Sequence, residues 1–155
     1  MMRSLQKLVM LILVQLLLVG VAAAQVHGSA EEAKTLAEKG LAHIKAVGLD
    51  KALEEFSAKD GKWQDKDLYI FVIKYDGTMM AHGANKALVS KPMQEMKDAN
   101  GVFFTRDMIT VAKTKGSGWV DYLWPNPVTK KTEQKSSYAV AIPGYDGFLG
   151  VGIYK

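Results

Sequence analysis

The sequence predicts an α+β domain: an antiparallel sheet of about five strands with a long N-terminal helix packed on it. Three observations carry this prediction. Residues 29–47 repeat apolar side chains at helical steps, two β-patterned runs meet at an Asp76-Gly77 turn, and further strand patterns close the chain in hairpin succession. Strands joined by short turns pair antiparallel. Helices bunched before and between the strands, rather than alternating with them, give α+β rather than α/β.

The first 24 residues are set aside before the fold is considered. Arg3 and Lys7 precede an apolar run over residues 8–21, broken only by Gln15 and Gly20, and Ala22-Ala23-Ala24 supplies small residues for a peptidase. This is the pattern of a secretory signal with cleavage between Ala24 and Gln25. An uncleaved anchor is the alternative, although the run falls short of the roughly 20 residues that span a bilayer. Residues 25–155 are then the domain, and its expected place is periplasmic or secreted. A chain of roughly 130 residues is long enough to bury about two-thirds of its unfolded surface.

In the helix, Ala33, Leu36, Ala37, Gly40, Leu41, Ile44 and Val47 form one stripe. Ser29 and Glu32 have the spacing of a capping box. Gly48 interrupts the stripe, and Asp50 is expected to cap a second short helix ending at Phe56. Residues 68–75 read as a strand apolar on both faces, hence central, with a return strand through His82. From Gly83 to Gly101 the periodicity fails, leaving loop with at most a helical turn at 92–97. A helix is expected over 102–113, carrying Phe103, Met108, Ile109 and Ala112. An aromatic strand follows over 119–124, closed by Pro125-Asn126-Pro127, and then strands over 135–142 and 148–154. A five-stranded sheet holding a ligand against a connecting helix is the PAS-like plan.

Charge and composition remove several function classes. The chain has 20 basic and 16 acidic residues. Without Arg3 and Lys7 the balance is 18 against 16, or +2, and no basic helix or RNA-binding aromatic signature appears, so nucleic acid is not an expected partner. There is no cysteine, so neither disulfides nor a cysteine nucleophile contribute. A nucleophile elbow and a phosphate-binding glycine loop are also lacking, and His27, His43 and His82 stand far apart. Neither an enzyme nor a cofactor or metal site is expected.

Three separated stretches, "LYIFVIKYDGTMMAHGANKALVSK", "GSGWVDYLWPNP" and "KSSYAVAIPGYDGFLGVGIYK", resemble in order and spacing the single Cache domain family, in particular its second subfamily. The resemblance covers the chain from the long first helix to Lys155. It implies a PAS-like extracytoplasmic sensor, as in chemoreceptors and histidine kinases, with a pocket for a short organic acid between the sheet and the helix and loops joining its second and third strands. The receptor members continue beyond their sensor, whereas this sequence stops at Lys155. A free-standing member is therefore expected, acting through a partner receptor or kinase. The alternative is an accessory protein with no soluble ligand, using the first helix as a partner surface or as the seam of a homodimer.

A carboxylate pocket needs donors in a dry place. Strand alternation sets Val120, Tyr122 and Trp124 on one face and Trp119, Asp121 and Leu123 on the other. By analogy with the family, Tyr122 and Trp124 are assigned to the pocket, with Trp119 left to packing; plain core packing is the alternative for each. His82 matches the family's strand-end histidine, although Gly83 stands where a proline is usual. Lys135, from the "KSSY" motif, is the expected counter-charge, and Arg106 on the middle helix is the competing cation. Tyr69, Phe103 and Tyr138 are secondary candidates for the lining.

Overall fold

The computed structural model describes residues 27–59 and 61–155. The expected signal segment lies outside the described residues. Helix α1 spans Ala30–Val47, and its start is set by the reciprocal Ser29–Glu32 capping box. Gly48, at φ 87°, turns the chain directly into α2, Leu49–Phe56. Asp50 therefore lies inside the first turn of α2 rather than capping it, which corrects the expected boundary.

The strands are β1 Gln64–Asp65, β2 Leu68–Lys74, β3 Met79–His82, β4 Ser117–Pro125, β5 Thr132–Ala141 and β6 Gly147–Tyr154. Every pairing is antiparallel, in the order β1-β2-β6-β5-β4, with β3 also on β2. β1 and β3 share one edge of β2, so the sheet has the five expected strands plus a two-residue addition. Strand β2 has neighbours on both edges and side chains buried on both faces, which is why its sequence is apolar without alternation.

Between β3 and β4 the helical turn falls at Lys86–Leu88, capped by the Asn85 side chain, and not at residues 92–97. The rest of this segment is fastened along β3: Met79 donates to the Lys91 carbonyl, and Met93 to that of Gly77. Helix α3 then runs Phe104–Lys115 and ends at Gly116, φ 77°. Among the described residues no helix is long and apolar enough to cross a membrane.

The two faces of the sheet carry separate cores. Helices α1 and α2 cover one, where Ala33, Ala37 and Phe56 meet Ile70, Val72, Leu149 and Val151. Helix α3 and the long loop cover the other, where Phe104, Met108 and Met93 meet Tyr69, Phe71, Val120 and Tyr122. At the end of the sheet, buried Asp67 accepts from His27 Nδ1 (2.7 Å), the Gly28 amide (2.8 Å) and Asn126 Nδ2 (3.3 Å). Asn126 in turn accepts from the Val128 amide, so the Pro-Asn-Pro stop is a closed turn tied to the start of β2.

Candidate functional site

The α3 side of the sheet encloses a cavity of ≈ 10 Å³, room for about one water molecule. Strand β2 contributes Tyr69, Phe71 and Ile73; β3 contributes Met79 and His82; β4, Tyr122 and Trp124; and β5, Lys135. Helix α3 closes it with Phe104 and Met108, and the loop adds Met93. A wider groove of ≈ 900 Å³ runs between α1 and β1, but it is open to solvent and carries both signs of charge. The enclosed cavity gathers polar groups around one buried cation-forming side chain, and it is the candidate site.

Sheet register brings the polar groups together. Tyr122, Lys135 and Tyr154 are cross-strand partners on β4, β5 and β6, so their side chains share one row. Room for the lysine comes from β6: a Cβ on Gly152 would lie 2.1 Å from Lys135 Cε, and one on Gly150 would lie 2.2 Å from the Phe71 ring. Glycine within a strand here marks close approach of a neighbouring side chain.

Lys135 is 1% exposed. Its Nζ donates to the Tyr69 hydroxyl at 2.6 Å, and lies 4.1 Å from the centre of the Tyr69 ring and 5.0 Å from that of Tyr154. Tyr154 donates to the Pro125 carbonyl (2.9 Å), so the 3.3 Å contact between the two phenols is a donation from Tyr69 to Tyr154. Each proton of this chain is thereby assigned, from amine to phenol to phenol to backbone carbonyl. Burial holds the Lys135 amine well below the ordinary lysine range, offset in part by the charge of Asp67. Burial likewise holds the Tyr69, Tyr122 and Tyr154 hydroxyls above theirs, so all three stay protonated as donors.

His82 is 3% exposed, and its ring stands among Tyr69 (4.9 Å), Trp124 (6.3 Å) and Phe71 (6.4 Å). Its Nδ1 accepts the Asn85 amide at 2.9 Å, which leaves the ring proton on Nε2. Burial, then the charge of Lys135, lowers its pKa to about 3, so the imidazole is neutral. The Ser57 hydroxyl accepts the His82 amide at 3.2 Å, fixing the strand end against α2. Tyr122 stacks on Phe104 at 4.6 Å, and its hydroxyl lies 2.9 Å from Ser137 Oγ.

Tyr69, His82, Tyr122, Trp124 and Lys135 thus converge, while three expected site residues lie elsewhere. Tyr138 faces α1: its ring packs at a tilt against Trp119 at 5.3 Å, with Lys34 Nζ 5.5 Å from its ring centre. An odd separation from Lys135 along one strand requires opposite faces. Arg106 points outward to the Gln94 carbonyl (3.1 Å) and the Glu95 carboxylate. Phe103 precedes the helix and packs under that guanidinium at 4.0 Å; Phe104 takes the place expected of it. Phe71 and Ile73 were readable as the alternates of Tyr69 along β2, and Met108 as the residue one turn after Phe104. Met93 sits in aperiodic loop and gives no such signal.

The arrangement offers a buried amine of lowered basicity, a neutral imidazole, phenol hydroxyls and an apolar floor, with no acidic side chain in the lining. Among the described residues no cluster of His, Cys, Asp or Glu is placed to hold a metal. The model for single Cache domain 2 matches residues 4–155. The chain belongs to this family. Curated relatives include the methyl-accepting chemotaxis protein McpP of Pseudomonas putida, 27% identical over 58% of this chain and 16% of that protein. Another is the sensor histidine kinase MctS of Rhizobium johnstonii, 29% identical over 57% and 19%. The chain spans less than a fifth of either. Among solved structures, a methyl-accepting chemotaxis protein from Vibrio parahaemolyticus superposes with a TM-score of 0.69 at 24% identity, covering 80% of this chain and 86% of that one. A Cache chemosensory domain described for carboxylic acid recognition gives 0.68 at 23%, covering 81% and 92%. Both show the same fold, and the Cache domain is a ligand-binding sensory module.

Proposed function

We propose that this Cache domain is an extracytoplasmic sensor module for a short monocarboxylate, exported by its N-terminal segment and acting through a membrane receptor or histidine kinase. One observation carries the reading: a buried lysine, with no acidic side chain lining its cavity, presents its amine beside a phenol and an imidazole in a buried, largely aromatic lining. Such a site suits one carboxylate head and a short apolar tail. A dicarboxylate would bring a second charge with no partner in the lining. The carboxylic acid recognised by the structural neighbour, and the chemotaxis and kinase contexts of McpP and MctS, agree with this reading.

The ≈ 10 Å³ volume favours a second reading, an accessory protein whose cavity is filled by its own side chains. Against it stand Met79, Met93 and Met108, unbranched and adaptable side chains able to open the floor for two or three carbons. The outward face of α1, the surface that second reading needs, carries Lys34, Thr35, Glu38 and Lys39 rather than an apolar stripe.

Thermal unfolding with acetate, propionate, lactate, succinate and alanine separates the two. The monocarboxylates are expected to stabilise the domain by about 2.7 kcal/mol at a hundredfold excess over Kd. Lys135→Met is expected to abolish the effect while leaving the fold intact. No stabilisation by any of the five would favour the accessory reading.

A further inference from the structure

The charge state of the site has a consequence for its ligand. Every titratable group facing Lys135 Nζ can be named: Tyr69 from β2, His82 from β3, Tyr122 from β4 and Tyr154 from β6. All four are neutral donors. The nearest anion acting on the amine is Asp67, just before β2, whose oxygens are committed to His27, Gly28 and Asn126. Among the described residues Lys135 forms no salt bridge, its hydrogen-bond acceptor being the Tyr69 phenol at 2.6 Å. An ammonium buried there without a counter-ion would be costly, and so would a carboxylate entering beside an uncharged amine.

Resting on the carboxylate reading above, we infer that the site takes up its ligand as a carboxylate together with one proton, so that the domain senses the acid as a neutral pair rather than the anion alone. The step is balanced. The lone pair of Lys135 Nζ takes one proton from solution, the carboxylate pairs with the resulting ammonium, and no bond in the ligand breaks. The imidazole is not the acceptor. His82 Nε2 already carries a hydrogen, and protonating Nδ1 would break its bond from the Asn85 amide. The depressed basicity of both groups agrees with this assignment. Affinity then follows the product of carboxylate and proton concentrations, and an acidifying environment strengthens the response at constant carboxylate.

The test is calorimetric titration of the chain with acetate and propionate between pH 7 and 8.5, in phosphate and in Tris, whose ionisation heats differ. The expected result is uptake of one proton per ligand bound and a Kd that rises about tenfold per pH unit. Binding with equal heats in the two buffers and a flat Kd would overturn the inference and leave the carboxylate reading standing. Absence of binding at every pH would overturn both. His82→Gln is expected to bind more weakly but to take up one proton for each ligand that still binds; a fall to zero protons per bound ligand in that variant would move the proton to His82 and overturn the assignment to Lys135.

Discussion

The two faces of one sheet are built on opposite terms. Beneath α1, Ala33, Ala37 and Gly40 let the helix settle onto Ile70 and Leu149, and a Cβ on Gly40 would lie 2.8 Å from Leu149 Cδ1; Phe56, Trp119 and Tyr138 complete this apolar face. Beneath α3 the same strands bury a lysine, a histidine and three tyrosines, and leave a cavity floored with methionine. The first face satisfies the packing that stabilises a fold. The second keeps polar groups out of water without a charged partner, which a purely structural core avoids. On the function proposed above, the α3 side is the face that binds.

The largest expected effect lies on the structural face. Leu149→Ala removes a fully buried side chain from under α1 and should lower unfolding free energy by about 2–5 kcal/mol. Urea denaturation measures the loss, and acetate affinity of the folded fraction should not change. A matching loss of affinity would break the separation between the faces.

Gly152→Ala carries the contest to the boundary between them. The new methyl would fall 2.1 Å from Lys135 Cε and 2.5 Å from Ser137 Oγ, so the lysine must leave its place. A cost of about 1–3 kcal/mol is expected from overpacking, together with at least a tenfold weaker acetate titration. Unchanged affinity would show that the lysine's position is not what the ligand reads.

The α3 face should also give the domain an acid limb. His82 titrates at about 3 when folded against an ordinary 6.5, so the unfolded chain binds the extra proton between those values. The contribution of His82 to stability is therefore complete above pH 6.5 and is lost as pH falls toward 3, by about 1.4 kcal/mol per unit in mid-window. Denaturation at pH 7, 6, 5 and 4 should show this limb in the native sequence and a shallower one in His82→Gln.

Much of this division was legible in the sequence, and what was not has physical reasons. Alternation along β4 separates Trp119 from Tyr122 and Trp124, because a strand's period of two holds through the hairpin. The same rule sets Tyr138 opposite Lys135, so the family motif that joins them in sequence cannot join them in space. Phe103 against Phe104 was a question of helix phase, decided one residue later than the stripe suggested by a start that has no side-chain cap. Met93 reaches the cavity from a loop fixed by hydrogen bonds to Met79 and Gly77, contacts between distant segments that no local pattern announces. The sockets at Gly150 and Gly152 appear in the sequence only as two glycines; their meaning needs the register of β6 against β2 and β5.

The smallest effect sharpens the comparison most, because its sign is opposite. Burial lowers the basicity of Lys135 on folding, so the unfolded chain holds this proton more tightly than the native one and the lysine opposes folding. That opposition falls as pH rises toward the ordinary lysine value. Lys135→Met keeps the apolar stem against Phe71 and Tyr69 but removes the titrating group, at the cost of the hydrogen bond to the Tyr69 hydroxyl. The net expectation is a gain of about 1 kcal/mol at pH 7, shrinking by pH 9, in a protein that no longer responds to acetate. Urea midpoints of both proteins at the two pH values measure it. A variant less stable than the native chain at pH 7 would mean that the lysine, too, belongs to the packing.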